Sequence, residues 1–151
     1  GMPVLSPNGI VGKILRTGIN YADVQVITDN SFNIDILVER TRIRGILRGS
    51  GGGACFLQLH KRVNIKIGDH IVSSGLLGNF PKGLPIGKVV KIEYDSDDIS
   101  QLVTVQPWVD HLNLEEVMIF KIANPQMDHL VKALGENWLM NITKSQQDFR
   151  Y

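Results

Sequence analysis

A short run of this chain carries a carboxylate, an imidazole and two hydroxyls, in Asp69, His70, Ser73 and Ser74. These residue types serve nucleophilic catalysis when they meet in space beside an oxyanion hole, and adjacency along the chain is not such an arrangement. Asp69 follows Gly68 and is typical of a turn acceptor, while the serines are typical of a loop. We therefore expect no enzyme. The alternative, a trypsin-like double-barrel hydrolase, requires Ser, His and Asp within hydrogen-bond reach.

Metal-ligand and redox chemistry are equally poorly supported. The four histidines are scattered without metal-ligand spacing. Asp95, Asp97 and Asp98 could hold a weak calcium ion, but they lack the oxygen-ligand spacing of a dedicated loop, and a solvated hairpin tip is the preferred interpretation. The single cysteine, Cys55, excludes an internal disulfide and is expected to fill a small space in the core. We expect no metal and no cofactor.

The charge of the chain is balanced, with 16 basic and 15 acidic residues and a net charge of +1. This gives no electrostatic signature for nucleic acid. Arg40, Arg42 and Arg44 follow one another at period two, and in a strand they would share one face. They are interpreted either as a stripe facing an anion or a protein partner, or as a solvated edge that discourages strand-to-strand aggregation.

The stretch from Gly68 to Ile92 organises the rest of the chain, because two short apolar runs flank a segment rich in glycine and proline. Such a pattern predicts strands joined by a specified loop, since Gly permits positive φ and Pro fixes φ near −65°. The expected role of this stretch is structural and rests on backbone geometry. The turn residues are Gly75, Gly78, Pro81, Gly83, Pro85 and Gly87.

Alternating apolar and polar residues predict several further short strands, including Gly9–Leu15 and Ala22–Thr28. Gly49–Gly53 is expected to be a linker or a long hairpin tip that divides the chain in two. Gly9–Leu15 also resembles Gly83–Val90 in its Gly-Lys followed by a β-branched run, which indicates two related halves. Repeated short strands at this spacing favour small barrels or sandwiches.

The C-terminal part has a different pattern. Asn124-Pro125 is typical of a helix start, and the apolar spacing that follows predicts an amphipathic helix over 124–140 and a polar tail over 141–151. Gly1 before Met2 is typical of a residue left by tag cleavage, so we expect a fragment of a longer protein. No apolar run approaches the ~20 residues that span a bilayer.

Several segments resemble, in order from about Pro7 to Phe120, the MreC family of bacterial rod-shape-determining proteins. The pattern SGL-x-G-x-FP-x-GLP-x-G makes the resemblance specific, and Leu77 departs from it where many relatives have Gly. The matching segments are Asn8–Ile14, Ile27–Asp29, Arg44–Leu47, Gly68-Asp69, Val72–Gly87, Val103–Pro107 and Leu114–Val117.

The resemblance implies an all-β fold of two small six-stranded β-barrels in tandem, followed here by the short C-terminal amphipathic helix. The first barrel is expected over about 1–50, with strands that can be shared, and the second over 54–120. The resemblance also implies that this is the periplasmic β-domain of a protein on the bacterial inner membrane. That parent is anchored by an N-terminal transmembrane helix and dimerises through a coiled coil, both missing here.

The function implied is a non-catalytic scaffold of the cell-elongation machinery, which binds and positions or activates the elongation-specific penicillin-binding transpeptidase. Further partners implied are MreB, MreD, RodZ and RodA, together with self-association. The alternative is a structural protein that forms periplasmic filaments through contacts between β-domains. Phe80, Leu84 and Tyr94 are predicted as exposed contact residues at loop tips, with the three arginines as further candidates. For Phe80 the other interpretation is that it caps its own barrel.

Overall fold

The computed structural model describes residues 1–76 and 79–120, and every regular secondary-structure element in these ranges is a β-strand. They form where aliphatic and β-branched residues alternate with polar ones, because such residues suit a pleated sheet with one face in the core. The all-β class is confirmed for this part. The predicted helix and polar tail lie outside the described residues. The ten strands are β1 (Pro3–Ser6), β2 (Gly9–Thr17), β3 (Ala22–Val26), β4 (Asn33–Val38), β5 (Arg44–Gly49), β6 (Cys55–His60), β7 (His70–Ser73), β8 (Pro85–Tyr94), β9 (Ser100–Pro107) and β10 (Met118–Ile119).

Six of the strands close into a barrel in the order β4-β5-β6-β9-β8-β7, with all neighbours antiparallel. The alternation is clearest in β6, where Cys55, Leu57 and Leu59 are buried and the residues between them are exposed. Because the barrel is closed, each of its strands is paired on both sides and none presents a free edge.

The other four strands form an open sheet in the order β10-β1-β2-β3. The sequence-based division assigned 1–50 to a first barrel, whereas β4 and β5 lie in the closed barrel with strands that follow the glycine run. The pairings that place β4 and β5 in the barrel, such as β4 with β7, join distant parts of the chain. No local sequence pattern indicates such pairings. Within the described residues, the N-terminal unit is thus a four-stranded sheet rather than a six-stranded barrel.

The glycine-rich run is the tip of a hairpin and not a linker between domains. Strands β5 and β6 pair on either side of it, and Ser50 N donates to Ala54 O at 3.0 Å. Gly49 itself ends β5 and lies against the backbone of Asp29.

One face of the open sheet shares a hydrophobic core with the barrel, while its other face has a separate buried cluster around Val4 and Val11. Leu5 and Ile10 of the sheet are buried in the same cluster as the barrel residues, together with Phe120. Gly9 approaches β8 so closely that a Cβ atom there would lie 2.5 Å from the carbonyl oxygen of Pro85. The two units are therefore packed against each other directly.

The similarity between Gly9–Leu15 and Gly83–Val90 corresponds to a structural repeat. Gly12 in β2 and Gly87 in β8 occupy equivalent positions, and their neighbours on both sides pair in the same register. Gly12 pairs with Val4 and Val26, as Gly87 pairs with Ile71 and Pro107. In the same way Lys13 pairs with Gln25 as Lys88 does with Gln106, and Leu5 pairs with Met118 as Val72 does with Leu37.

The bulges of the two copies also coincide. The register with the following strand shifts between Ile14 and Arg16 in β2, and between Val89 and Lys91 in β8, in each case just beyond the equivalent glycine. The strands β10, β1, β2 and β3 of the open sheet are therefore equivalent, in that order, to β4, β7, β8 and β9 of the barrel. Strands β5 and β6 have no counterpart among the described residues of the sheet.

Candidate protein-binding surface

The predicted turn segment is held by one buried serine. Ser73 ends β7, and its Oγ donates to Pro81 O at 2.5 Å and accepts from Leu84 N at 2.9 Å. Gly75 and Gly83 have φ of +74° and +89°, a conformation that glycine adopts without strain. Of the other predicted turn residues, Pro81 is buried, Pro85 and Gly87 lie in β8, and Gly78 lies outside the described residues.

A second contact fixes the beginning of this loop to the barrel. The Ser74 hydroxyl donates to the Asp35 carboxylate, which also accepts from Leu76 N at 2.8 Å. Both serines that could have been nucleophiles are thus hydrogen-bonded, Ser73 within the loop and Ser74 to the barrel strand β4. Their arrangement is structural.

Asp69 and His70 point to different partners. Arg40 donates to both carboxylate oxygens of Asp69, at 2.8 and 2.9 Å, and Lys66 N donates to Oδ2 at 2.8 Å. The Arg40 guanidinium holds the pKa of Asp69 below its usual value, with a further contribution from the Lys66 amide. Asp69 is the turn acceptor that its position after Gly68 predicted.

His70 instead packs edge-on against Trp108, with ring centroids 5.3 Å apart, and its Nδ1 lies 3.8 Å from Glu39. The described residues contain no His, Cys, Asp and Glu grouping that could hold a metal ion. The acidic run near Asp97 forms a hairpin tip. There the amides of Ile99 and Ser100 donate to Asp97 and lower its pKa.

Two of the three predicted contact residues are buried, so the expectation of exposure was wrong for Phe80 and Leu84. Phe80 is 6% exposed and packs edge-to-face on Phe32, with ring centroids 6.1 Å apart. Leu84 is 1% exposed. The proline and glycine residues fold this loop back, so that these two side chains enter the core.

Tyr94 is the exposed member of the three, at 65%. It ends β8, and Lys61 lies 5.8 Å from its ring centroid while forming an ion pair with Asp98. The exposure of Tyr94 agrees with its predicted position, and its contact with a partner stays a prediction.

The three arginines do not form a stripe on one strand. Arg40 and Arg42 lie in the turn between β4 and β5, and Arg42 has φ of +61°. Arg40 is occupied by Asp69, and only Arg44 lies in a strand, at the start of β5. The period-two interpretation was wrong because the chain turns where the first two arginines stand.

A shallow groove of about 520 Å³ lies on the outside of the barrel, across β5, β6 and β9. We call this surface the outer groove. Cross-strand pairing brings its residues side by side, with Phe56 opposite Arg48 and Gln58 opposite Leu102. The residues that line it are Ile46, Arg48, Phe56, Gln58 and Leu102.

A second cleft, of about 490 Å³, lies where the β1–β2 turn meets the barrel. It is lined by Asn8, His70, Pro85 and Trp108, and Lys88 lies 5.9 Å from the Trp108 ring centroid. Trp108 is 37% exposed, so part of its ring is available to a partner.

Sequence reasoning missed the apolar residues of the outer groove. The alternation of β5 and β6 was visible, and burial of Leu47 and Leu57 would have placed Ile46 and Phe56 on the water-facing side. Apolar residues grouped on the water-facing side of neighbouring strands are a usable signal of binding.

Comparison with known proteins identifies the family. The family model "Rod shape-determining protein MreC, barrel core" matches residues 1–121. The chain belongs to the MreC family. The cell shape-determining protein MreC of Listeria monocytogenes is 30% identical over 126 residues, covering 80% of this chain and 43% of that protein. This chain thus spans less than half of that relative.

Solved MreC structures agree with the fold. The crystal structure of MreC from Pseudomonas aeruginosa matches with a TM-score of 0.76 and 30% identity, covering 80% of this chain and 79% of that one. MreC in a complex between Penicillin-Binding Protein (PBP2) and MreC from Helicobacter pylori matches with a TM-score of 0.65 and 18% identity, covering 81% and 78%. At that identity the likeness concerns the fold. No helix in the described part of the chain is long and apolar enough to cross a membrane.

Proposed function

We propose that this chain is a non-catalytic scaffold of the bacterial cell-elongation machinery, which binds the elongation-specific penicillin-binding transpeptidase and positions or activates it. The observation that carries the proposal is the complex of PBP2 with an MreC protein of the same fold. The MreC family membership of residues 1–121 supports it. The hydrogen bonds of Ser73, Ser74 and Asp69 and the packing of His70 on Trp108 are structural contacts, and this supports a role in binding rather than in catalysis.

The proposed mechanism is a shift between two states of the transpeptidase. A partner can favour the active state only if it binds that state more tightly than the inactive one. A rigid binding surface suits this task, because a closed barrel with a buried core changes shape little on binding. In this view the domain acts through its affinity difference and not through chemistry of its own.

The parent protein is proposed to sit at the periplasmic face of the inner membrane, held by an N-terminal helix, and to work with MreB, MreD, RodZ and RodA. These statements rest on family membership. They concern the whole protein, of which this chain spans about two fifths when compared with the Listeria relative.

The N-terminal unit is proposed to be a six-stranded barrel in the complete protein. What supports this is the repeat: four strands of the sheet have the registers of four barrel strands. Two further strands, equivalent to β5 and β6, would join β10 to β3 and close it.

The alternative is a structural protein that assembles through its β-domains. The observation in its favour is that β3 and β10 stand at the two edges of the open sheet in the described part of the chain, and in this alternative another copy, instead of two further strands of the same chain, pairs with those edges. An edge strand presents unpaired backbone groups to which a strand of another copy can add. Sedimentation velocity over a hundredfold range of concentration distinguishes this alternative from a monomeric adaptor.

Titration of the folded chain with the purified periplasmic part of the penicillin-binding transpeptidase from the same organism tests the main proposal. Saturable binding at micromolar or lower concentration is expected, together with a higher transpeptidase rate. The matched control is the same titration with a penicillin-binding protein that does not serve elongation. Equal binding to both enzymes, or none to either by a chain shown to be folded, contradicts the proposal.

A further inference from the structure

The outer groove lies on strands that offer no free backbone groups. Strand β5 is paired with β4 and β6, β6 with β5 and β9, and β9 with β6 and β8. A partner therefore cannot add a strand here, as it could at a sheet edge. Whatever binds the outer groove must do so through side chains.

The groove presents apolar side chains on a face that is turned to water. Ile46 is 60% exposed and Phe56 is 36% exposed, while Leu102 is half-buried between them and β8. They come from three different strands, so they form a patch rather than a row along one strand. Burying such a patch against a partner is favourable in proportion to its area.

Two arginines border this patch on the same strand. The side chains of Arg44, Ile46 and Arg48 alternate outward along β5, and all three are exposed. The two arginine Cα atoms are four residues apart, which is roughly 13 Å along a strand. Neither forms an ion pair within the described part of the chain, where Arg48 only contacts Asn33 Oδ1 at 3.4 Å.

The carboxylates on β4 and β8, the strands that flank β5 and β9, are already engaged. Asp35 accepts from Ser74 and Leu76 N, and Glu93 pairs with Lys91 at 2.7 Å. The two guanidinium groups are therefore available for the bidentate hydrogen bonds that arginine forms with carboxylates.

We propose that the outer groove is the surface that binds the penicillin-binding protein, through a segment of that partner in which an apolar side chain lies between two carboxylates. The apolar side chain fills the space beside Phe56 and Ile46, and the carboxylates meet Arg44 and Arg48. This assignment rests on the proposed function and specifies its site and chemistry. It differs from the loop-tip contacts expected at Phe80 and Leu84.

The test uses the whole chain, titrated with the purified periplasmic part of the transpeptidase. Phe56→Ser should weaken binding at least about 10-fold, the range of a hot-spot aromatic. Ile46→Ser should weaken it about 5-fold and, at a site 60% exposed, leaves folding intact. The Ile46→Ser variant therefore keeps the test valid if Phe56→Ser fails to fold.

The double charge reversal Arg44→Glu with Arg48→Glu should weaken binding at least about 10-fold at low salt and flatten its salt dependence. Arg62→Glu with Lys82→Glu is the matched control, because it changes the net charge equally at exposed residues that do not line the groove. The control should bind within about 2-fold of the unmodified chain.

The outcomes separate this inference from the proposed function. If the unmodified chain and the groove variants bind equally well, the assignment of the outer groove as the binding surface is overturned and the proposed function stands. If the control loses as much affinity as the double reversal, only net charge matters and the groove is again overturned. If groove variants lose self-association in sedimentation but keep the transpeptidase, the occupant is a second copy. No binding by the folded, unmodified chain overturns both statements.

Discussion

Gly12 and Gly87 show at the scale of single residues why the sequence repeats. A Cβ atom on Gly12 would lie 1.9 Å from the carbonyl oxygen of Gln25, and one on Gly87 would lie 2.2 Å from that of Gln106. The two copies thus share a place where neighbouring backbones approach too closely for any side chain. The Gly-Lys dipeptide seen in both halves marks this contact.

Gly87→Ala is expected to lower the free energy of unfolding by about 3 kcal/mol, because the barrel must separate β8 from β9 to admit the methyl group. Urea denaturation followed by circular dichroism measures the change. Gly52→Ala is the control, since its Cβ would meet only Ser50 Oγ at 3.7 Å. Equal stability of the two variants would show that the strands are not in close contact at Gly87.

Cys55 illustrates a residue whose burial decides its reactivity. It is fully buried in β6, and burial raises the pKa of its thiol to about 12. Alkylation at pH 8 is expected to be at least about 100-fold slower in the folded chain than in urea, because little thiolate forms. Labelling with iodoacetamide, quantified by mass spectrometry, measures both rates. Comparable rates would mean that β6 separates readily from its neighbours β5 and β9.

Single residues also show the limit of exposure arguments from sequence. Phe80 and Leu84 stand among glycines and prolines, which indicated a loop, and loops are usually at the surface. The conclusion failed because a loop can turn its apolar side chains inward while its backbone stays at the surface. Tyr94, whose polar tip favours water, is the one of the three that is exposed.

At the scale of elements, the clamp between Arg40 and Asp69 joins the β4–β5 turn to the start of β7. Asp69 is 7% exposed and accepts three hydrogen bonds, two of them from Arg40. Asp69→Asn removes the charge that strengthens them and is expected to lower the free energy of unfolding by about 2 kcal/mol. Asp98→Asn, which breaks the exposed pair with Lys61, should cost much less.

The same clamp predicts a pH dependence. Because the pKa of Asp69 is lower in the folded chain than in the unfolded one, its stabilisation is present above about pH 4 and is lost as pH falls through the folded value. The stability difference between the unmodified chain and Asp69→Asn should therefore shrink from pH 6 towards pH 3. Urea denaturation at several pH values measures it, and a constant difference would mean that Asp69 is not ionised in its pair.

Strand existence could be predicted from the sequence, whereas strand partners could not. The residue pattern located β2 and β3, and the Gly-Lys similarity located the repeat. The closure of the barrel depends on β4 with β7 and β6 with β9, which join residues far apart in the chain. Those pairings arise from packing of the whole core, so the division at the glycine run placed β4 and β5 in the wrong unit.

At the scale of the whole molecule, the shared core couples the open sheet to the barrel. Ile10 of β2 is fully buried in the cluster that contains the barrel residues Ile86 and Val105. A sheet of four strands with two open edges gains stability from such packing, since little of its apolar face would otherwise be covered. The two units are therefore expected to unfold together.

Ile10→Ala should lower the free energy of unfolding by about 2–5 kcal/mol and shift every probe of structure to the same new midpoint. The fluorescence of Trp108, which follows the barrel strand β9, reports the barrel, while circular dichroism reports all strands. Replacing Trp138 with Phe in every protein compared leaves Trp108 as the single tryptophan. Leu15→Ala is the matched control, because Leu15 lies on the same strand but is 62% exposed. If Ile10→Ala shifts the circular dichroism transition and leaves that of Trp108 in place, the sheet and the barrel unfold separately.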